Sequence, residues 1–379
     1  MRVAFYAPMK PPTAPTPSGD RAMARLLIAA LTAAGHRVRL AARLGLREGT
    51  GDGARQTRLA LAGARLARHL IARYRASPGT APDLWFTYHP YYKAPDWIGP
   101  DVAQALAIPY VMAEASVAAK RADGPWRAGH AALLTALGRA DLVFGLNSAD
   151  RAGVLPHLAA PDRWVPLKPF IDTAPFVAAG ARRADHRARL GRDHGLDPTQ
   201  PWLVAVGMMR PGDKCQSYRQ LAQALGRLAD RTWHLLVVGN GAARAEVETA
   251  FAAEIPGRTL FLGRREPDEL AAVLAACDLC VWPAVREAFG MALLEAQAAG
   301  VPVVAGCWGG VPDIVADGTS GALVPPGDMA AFARAVARYL DDPSLRAETG
   351  GAARRIVQAE HGFERAVGTI DQALQRLGR

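Results

Sequence analysis

The sequence predicts an α/β fold with two doubly wound parallel-sheet domains. The chain has 379 residues, which is more than one domain of ordinary size contains. Half of the residues are apolar, so both parts can bury a core. Apolar segments of strand length alternate with helical segments along both halves of the chain. This alternation is typical of parallel sheets that carry helices on both faces.

The first half of the chain begins with a strand at residues 3–7 and a proline-rich turn. Ser18-Gly19 then leads into a helix with apolar residues at helical spacing, and Gly35 ends that helix. A second strand starts at Val38. Such strand, helix, strand units build a parallel sheet. Further strands of this domain are expected at residues 84–88, 110–113 and 142–146.

Residues 169–200 have an irregular, proline-containing and then charged pattern, which predicts a linker between the domains. The first domain then spans residues 1–168 and the second spans residues 201–362. The closing segment, residues 363–379, is predicted to be an amphipathic helix that returns to the first domain. Strands of the second domain are expected at residues 202–206, 235–238, 260–262, 279–282 and 301–304.

The net charge of +10 is concentrated at the start of the chain. Residues 1–100 contain thirteen Arg and two Lys against five acidic residues. Within them, residues 55–75 form a helical pattern with leucines and Tyr74 on one side and arginines on the other. Two interpretations stay open: docking on an anionic membrane surface that carries a lipid acceptor, or a solvated helix packed by its leucines.

No run of 18 apolar residues and no signal peptide is legible, so we expect a cytoplasmic protein, peripheral to the inner membrane face if residues 55–75 bind lipid. A pI near 9.8 suits nucleic-acid binding, but the basic segment lacks interleaved aromatics, so no nucleic-acid partner is expected. Cys277 and Cys280 are spaced as Cys-x-x-Cys, but Cys280 lies in a buried strand pattern and no second cysteine pair exists, which favours core packing over a metal or redox site.

Two glutamates eight residues apart form the strongest local signal. Glu287 follows the strand at 279–282 and the Pro283 turn, and Glu295 lies in the helical segment after it. On one helix they would be about 12 Å apart along the axis, too far to share a proton. Because a glutamate accepts hydrogen bonds from vicinal hydroxyls, the pair suits two ends of an extended ligand such as a nucleotide sugar.

Glycines and cations are predicted at the same sheet edge. Gly309 and Gly310 follow the strand at 301–304, where peptide N–H groups can approach a phosphate without a Cβ in the way. Arg210 and Lys214 lie in the segment after the first strand of this domain. Ligands of open α/β sheets bind at the carboxyl ends of the strands, so we expect these groups to share a site.

Together these segments resemble the retaining glycosyltransferases of the GT-B fold, the glycosyl transferases group 1, over nearly the whole chain. The resemblance rests most on the Glu-x7-Glu motif, here Glu287 and Glu295 with Phe289-Gly290 between them. It implies two Rossmann-like domains that face a central cleft. It also implies that Glu287 contacts the donor sugar, Glu295 contacts the ribose, and Phe289 and Gly290 lie against the donor.

Further segments support the resemblance. Gly309-Gly310 with Asp313 matches a family turn, and Ser18-Gly19 looks like the glycine turn of the first domain, a substrate-binding position. The family usually has an arginine five residues before its phosphate-binding lysine, whereas Arg210 precedes Lys214 by four. The resemblance therefore assigns the phosphate to Lys214 first and to Arg210 second.

The resemblance implies transfer of a sugar, with retention at the anomeric carbon, from a UDP- or GDP-linked donor to a lipid or saccharide acceptor. Lys214, Arg210 and the Gly309-Gly310 backbone would stabilise the departing diphosphate, which takes the proton of the acceptor. No cofactor and no metal are expected, since the chain contains no Asp-x-Asp motif. An epimerase or a phosphorylase-like enzyme of the same fold is the alternative, which the Glu-x7-Glu spacing disfavours.

Three residues of the first domain are candidates for holding the donor sugar or the acceptor hydroxyl. His89 and Glu114 each follow a predicted strand, and His130 lies in a helical segment. Residues at strand ends are frequent in sites. An isolated histidine is more often an ordinary surface or core residue, and this second interpretation stays open for all three.

Overall fold

A computed structural model of the chain describes residues 1–15 and 18–377. It divides into two compact units, Met1–Pro169 with Phe363–Arg379 and Phe170–Gly362. Each unit contains one six-stranded sheet whose strand pairs are all parallel. The predicted α/β fold with two parallel sheets is thus confirmed. Residues 16–17 of the predicted proline-rich turn and residues 378–379 of the predicted C-terminal helix lie outside the described residues.

The sheet of the first unit has the strand order β2-β1-β3-β4-β5-β6. Its central strands are apolar except for Thr87 and buried on both faces, as expected for a parallel sheet between helix layers. The edge strand β6 was not predicted. The strands are β1 (Arg2–Tyr6), β2 (Arg37–Leu40), β3 (Leu84–Tyr88), β4 (Tyr110–Ala113), β5 (Leu142–Gly145) and β6 (Trp164–Pro166).

In its described residues the first unit contains six α-helices, and the last of them comes from the end of the chain. That helix packs against α1 and buries Ile370 and Leu374, so the predicted return of the C-terminal helix is confirmed. The helices are α1 (Gly19–Ala33), α2 (Gly53–Ala76), α3 (Gly99–Leu106), α4 (Arg127–Arg139), α5 (Arg151–Val154) and α14 (Phe363–Arg376).

The sheet of the second unit has the order β12-β11-β10-β7-β8-β9. The strand expected at residues 301–304 begins two residues later, after Pro302. Strand β12 was not predicted. The strands are β7 (Trp202–Val206), β8 (His234–Val238), β9 (Thr259–Gly263), β10 (Leu279–Trp282), β11 (Val303–Gly306) and β12 (Gly321–Val324).

Eight helices surround this second sheet. They are α6 (Ala174–Ala181), α7 (Arg183–His194), α8 (Asp213–Gly226), α9 (Arg244–Glu254), α10 (Pro267–Ala276), α11 (Met291–Ala298), α12 (Met329–Asp341) and α13 (Pro343–Glu360). None of the described helices combines the length and the apolar character that a transmembrane span needs.

The prediction of a linker at residues 169–200 is wrong. The segment forms α6 and α7, which pack against α10 within the second unit. Two of its charges are paired, since Arg183 and Arg187 bind the two carboxylate oxygens of Asp278 at 2.6 and 2.9 Å. These two ion pairs anchor α7 at Asp278, just after the end of α10.

Candidate functional site

Four loops of the second unit lie side by side at the carboxyl ends of its strands. The loop after β8 touches the loop after β7: a Cβ on Gly239 would lie 1.9 Å from the Gly207 carbonyl oxygen. The turn after β11 touches the loop after β10, where a Cβ on Gly309 would lie 2.2 Å from the carbonyl oxygen of Glu287. Glycine at these two contacts allows the backbones to approach.

Residues 283–290, which we call the Glu287 loop, are held by the first turns of α8. The Val285 N–H donates to the buried Ser217 Oγ at 3.0 Å, and Arg286 pairs with Asp213 at 3.1 Å. The loop contains Ala284 and Arg286 at φ of 56° and 47°, in the left-handed region that side chains rarely adopt. Such strained positions persist where surrounding contacts hold them, and they are frequent at functional sites.

Lys214 and Glu287, both predicted site residues, are brought together as an ion pair between α8 and the Glu287 loop. The indole N–H of Trp282 also donates to the Glu287 carboxylate, at 3.2 Å. The lysine ammonium lies 5.2 Å from the centroid of the Trp282 ring. The cation expected to meet a phosphate is therefore neutralised by the acid expected to meet a sugar.

Glu287 and Glu295 do not lie on one helix, so the expected separation of about 12 Å along a helix axis does not apply. Helix α11 begins at Met291, after Gly290 at φ 80°. Gly290 is thus required by its left-handed conformation, and Phe289 beside it is buried. The N–H groups of residues 289–292 make no hydrogen bond with the part of the chain that the structure describes.

Glu295 projects from α11 as a half-buried acid. Burial raises the pKa of its carboxyl to about 7. Among the described residues, none forms an ion pair or a hydrogen bond with this carboxyl group. Because a buried polar group without partners is costly, Glu295 is a group that a ligand hydroxyl can satisfy.

The two glycines after β11 differ in what their amides can do. The N–H of Gly310 donates to the Ala288 carbonyl at 2.8 Å, so the amide expected to face a phosphate is used within the protein. The Gly309 N–H makes no hydrogen bond to any residue in the described ranges. Arg210, in the loop after β7, is exposed and is not joined to Lys214 by any contact.

His89 and Glu114 of the first unit meet at the ends of the neighbouring strands β3 and β4. Both have left-handed backbones, at φ of 53° and 58°. His89 Nδ1 lies 3.6 Å from a carboxylate oxygen of Glu114 and 3.2 Å from one of Asp20, which the sequence analysis did not single out. Asp20 lies in the first turn of α1, directly after the Ser18-Gly19 turn, and this position is the signal in the sequence that could have identified it.

This cluster holds its protons tightly. Burial raises the pKa of the Glu114 carboxyl to about 7. Burial by itself lowers the pKa of His89, but the carboxylates of Glu114 and Asp20 outweigh it and raise the value to about 9. The buried Tyr88 hydroxyl lies beside the Glu114 carboxylate without forming a hydrogen bond of good geometry, and no other described residue pairs with it or with the second Glu114 oxygen. The cluster therefore has polar groups that a bound hydroxyl could pair with.

The remaining candidates of the first unit are separate from this cluster. His130 is buried on α4 and makes no hydrogen bond or ion pair with His89 or Glu114 in the described ranges. Ser18 caps α1, because its Oγ accepts the Arg21 N–H at 3.2 Å. Gly19 is exposed, and a Cβ there would meet no atom within 4 Å, so local packing does not require a glycine.

The charged side of α2 is exposed. Its six arginines all face solvent, and the helix contains no acidic residue. The opposite side packs on the first unit through the buried Leu70 and Tyr74. A helix that packs on the core through its apolar side accounts for the burial of Leu70 and Tyr74. Membrane docking through the basic side stays a prediction.

Cys277 and Cys280 are free and buried in the second unit. Burial raises the pKa of both thiols, that of Cys280 to about 12. In residues 1–15 and 18–377 no group of three or more His, Cys, Asp or Glu side chains is arranged to hold a metal ion.

Comparison with known proteins connects the second unit to one family. Residues 200–342 match the model of the family described as Glycosyl transferases group 1. The chain is 34% identical over 227 residues to 2-deoxystreptamine glucosyltransferase of Streptomyces kanamyceticus, a match that covers 59% of this chain and 54% of that protein. It is 34% identical over 216 residues to D-inositol 3-phosphate glycosyltransferase of Corynebacterium efficiens, covering 55% and 50%. The chain thus spans about half the length of the curated relatives it matches.

Solved structures resemble the whole chain. Anabaena HepE in complex with UDP superposes with a TM-score of 0.76 at 18% identity, covering 99% of this chain and 100% of that one. Sucrose-phosphate synthase from Thermosynechococcus elongatus superposes with a TM-score of 0.73 at 23% identity, covering 100% of this chain and 99% of that one. These identities establish the fold alone. Residues 200–342 are therefore similar to the glycosyl transferases group 1, in a chain that has the GT-B fold.

Proposed function

We propose that this chain is a retaining, metal-independent glycosyltransferase that moves a sugar from a nucleotide diphosphate sugar to a lipid or saccharide acceptor. The observation that carries the proposal is the edge of the second sheet. There an unpartnered, half-buried carboxyl group, an acid–lysine pair and unbonded backbone amides lie on the loops after the strands and on the first turns of the helices that follow them. A sugar diphosphate has hydroxyls for the acids and an anion for the lysine and the amides.

In this proposal the donor is held by the second unit. Glu295 accepts the ribose hydroxyls. The unbonded amides at the start of α11 and that of Gly309 bind the diphosphate, helped by the positive end of the helix dipole. Lys214 and the exposed Arg210 supply positive charge. The complex of Anabaena HepE with UDP supports a uridine diphosphate as carrier, with a guanosine diphosphate as the alternative.

Charge on the leaving group decides the rate in this mechanism. As the bond from the anomeric carbon to the diphosphate breaks, negative charge grows on the phosphate oxygen, and preorganised cations and amides stabilise it. Lys214 and Arg210 take the role that a metal has in other transferases. The acceptor hydroxyl gives its proton to the departing phosphate on the same face, so the configuration is retained. Glu287 holds the donor sugar during this step.

The first unit is proposed to hold hydroxyl groups of the substrates. His89 is flanked by two carboxylates and Glu114 has an unpartnered oxygen, so the pair can donate to and accept from a sugar hydroxyl.

A peripheral position at an anionic membrane is proposed through the exposed arginines of α2. Flotation with vesicles of phosphatidylcholine, with and without phosphatidylglycerol, tests it. We expect binding only to the anionic vesicles and its loss in Arg65→Glu with Arg68→Glu. The matched control, Arg189→Glu with Arg192→Glu on the exposed side of α7, should bind as before. Equal recovery with both vesicles would end the membrane proposal.

Nucleotide binding and sugar transfer test the donor site. A thermal-shift panel of nucleoside diphosphates and nucleotide sugars should raise the melting temperature with at least one of them. Glu295→Gln and Lys214→Met should remain folded and lose most of the transfer activity, whereas the exposed Glu348→Gln should retain it. Full turnover in either of the first two variants would reject the assignment, and epimerised or phosphorolysed products would assign a different reaction.

A further inference from the structure

A row of aromatic rings begins at His89 and continues through the first unit. The ring centroids are 5.4 Å apart from His89 to Tyr91, 5.4 Å from Tyr91 to Tyr92 and 5.6 Å from Tyr92 to Trp126. All three aromatic residues beyond His89 are half-buried. We call Tyr91, Tyr92 and Trp126 the aromatic row. The planes of Tyr91 and Tyr92 and those of Tyr92 and Trp126 are nearly perpendicular, at 76° and 79°, so a sugar would pack against a single ring of the row.

Three cations surround the aromatic row. Arg47 donates from Nε to the Tyr91 hydroxyl at 3.4 Å. The Lys93 ammonium and the Arg121 guanidinium each lie 4.9 Å from the centroid of the Trp126 ring. None of these three cations forms an ion pair with a carboxylate of the described chain. The three cations therefore lie around the rings without a carboxylate of the described residues at ion-pair distance from any of them.

The nearest acid along the chain is already used. Glu48 is buried, and its carboxylate accepts the N–H groups of Thr50 and Gly51 at 2.7 and 2.6 Å. The hydrogen bonds from Thr50 lower the pKa of Glu48 to about 2. The Glu48 oxygens are therefore occupied by these backbone N–H groups, and Glu48 does not form an ion pair with its neighbour Arg47.

Two donors of the cluster have no acceptor. The Nε of Arg121 and the Nε1 of Trp126 are buried atoms without a hydrogen-bond partner within residues 1–15 and 18–377. Buried donors are nearly always paired in proteins, so each unpaired one requires an explanation. A ligand with acceptor oxygens would provide it, and an anionic oxygen would also relieve the repulsion between the cations.

We infer that the aromatic row with Arg47, Lys93 and Arg121 is a subsite for an acidic saccharide, which binds its sugar ring on one of the rings and its phosphate or carboxylate on the cations. The inference rests on the proposed function in one respect: the saccharide is the acceptor, and its reacting hydroxyl lies toward His89. Arginine suits both anions because its N–H groups match their oxygens in pairs.

Binding of simple sugars to the full-length protein tests the subsite without requiring transfer. The probes are glucose, glucose 6-phosphate, glucuronic acid and inorganic phosphate, measured by saturation-transfer NMR and by calorimetry. Both acidic sugars should bind about tenfold more tightly than glucose, a difference typical of one charge-assisted contact. The two acidic probes distinguish phosphate from carboxylate as the anion.

Matched variants locate the binding. Arg121→Gln and Lys93→Met should each weaken binding of the acidic sugars about tenfold and leave glucose unchanged. Lys120→Gln removes the same charge from an exposed neighbour of Arg121 that contacts no ring, and it should bind like the parent protein. Melting temperatures and UDP binding are measured alongside to show that each variant is folded.

Three results would overturn the inference: equal affinity for glucose and the acidic sugars, unchanged binding in Arg121→Gln, or an equal loss in Lys120→Gln. If inorganic phosphate bound as tightly as glucose 6-phosphate, the subsite would recognise only the anion, and the proposed binding of the sugar ring would be refuted. If the acidic sugars bind as expected but no nucleotide binds and no sugar is transferred, the subsite stands and the proposed transferase fails.

Discussion

The ion pair between Lys214 and Glu287 creates a competition that donor binding must resolve. The two side chains are 24% and 16% exposed, so their attraction is only partly screened by water. A diphosphate that approaches Lys214 must share the ammonium with a carboxylate that repels the phosphate. Donor binding is therefore expected to reorganise this pair, leaving Lys214 on the phosphate and Glu287 on the sugar.

Glu287→Gln is expected to separate binding from catalysis. Without the carboxylate, Lys214 is free for the phosphate, so UDP should bind roughly fivefold more tightly, which corresponds to about 1 kcal/mol. Sugar transfer should nevertheless fall about tenfold or more, because the donor sugar loses its charged acceptor. Calorimetry with UDP and initial rates of transfer measure the two effects. Weaker UDP binding in this variant would show that Glu287 does not compete for the lysine.

The His89 and Glu114 cluster predicts how stability depends on pH. The folded-state pKa values lie above the ordinary 6.5 and 4.5, at about 9 and about 7. Both groups therefore bind protons more tightly in the folded state, and their stabilising contribution declines as pH rises, through 7 for Glu114 and through 9 for His89. The lowered pKa of Asp20 acts only in acid and does not oppose this trend.

Glu114→Gln tests that pH dependence, because glutamine is neutral at every pH. The free energy of unfolding of the parent protein, relative to this variant, should fall by on the order of 3 kcal/mol between pH 5 and pH 8. Denaturant titrations at several pH values measure the difference. If the free energies of unfolding of the parent and the variant changed in parallel with pH, Glu114 would not have a raised pKa in the folded protein. Glu348→Gln, an exposed change of the same type, should follow the parent.

At the scale of single residues, the sequence predicted where candidate groups lie relative to strand ends better than which groups contact one another. The strand-end positions of His89 and Glu114 follow from the order of apolar segments. The contact of Asp20 with His89 does not, because it depends on which strands become neighbours in the sheet. In the same way, nothing in the local sequence indicates that the Gly310 N–H donates to the Ala288 carbonyl. This hydrogen bond forms because the loops after β10 and β11 lie against each other.

Among the elements, the Glu287 loop depends on α8 for its shape. Ser217, with 1% of its surface exposed, accepts the N–H of Val285 between two residues with left-handed backbones. We expect Ser217→Ala to cost about 1–3 kcal/mol, because it leaves a buried N–H unpaired. The released loop should also misplace Glu287 and weaken nucleotide-sugar binding. Chemical denaturation and calorimetry measure both effects.

Ser320→Ala is the matched control for that change. Its Oγ is also fully buried and accepts a backbone N–H, from Ala316 at 2.9 Å. A similar loss of stability is expected in this variant, with unchanged affinity for the nucleotide sugar. If both serine variants bind the donor equally well, the contact with α8 is not what shapes the loop.

Elements with strong apolar patterns were predictable, and those held by tertiary contacts were not. The central strands read as continuous apolar runs because both of their faces are covered. The edge strands β6 and β12 are only three and four residues long and gave no such signal. Helices α6 and α7 carry charges that suggested a linker, and only the distant Asp278 explains why Arg183 and Arg187 are ordered.

For the whole molecule, the decisive feature is that the first unit is discontinuous in sequence. The chain leaves it after Pro169, builds the second unit, and returns with α14 to pack on α1. The amphipathic pattern of the closing segment indicated a helix with an apolar side to bury. The resemblance to the GT-B fold indicated where that side would pack. The stability of the first unit therefore depends on residues nearly two hundred positions away from the rest of it.

Ile370→Ala tests this dependence. Ile370 is fully buried in the packing of α14, so the truncation should cost about 2–5 kcal/mol. In hydrogen exchange, amides of α1 should lose protection, because α1 packs against α14, while amides of β7 and β8 should keep it. Leu274→Ala truncates a fully buried residue of α10, so amides of β7 and β8 should lose protection and those of α1 should keep it. Uniform loss of protection in both units after either change would mean that they unfold as one cooperative body, and the return of α14 would then stabilise the donor site as much as the first sheet.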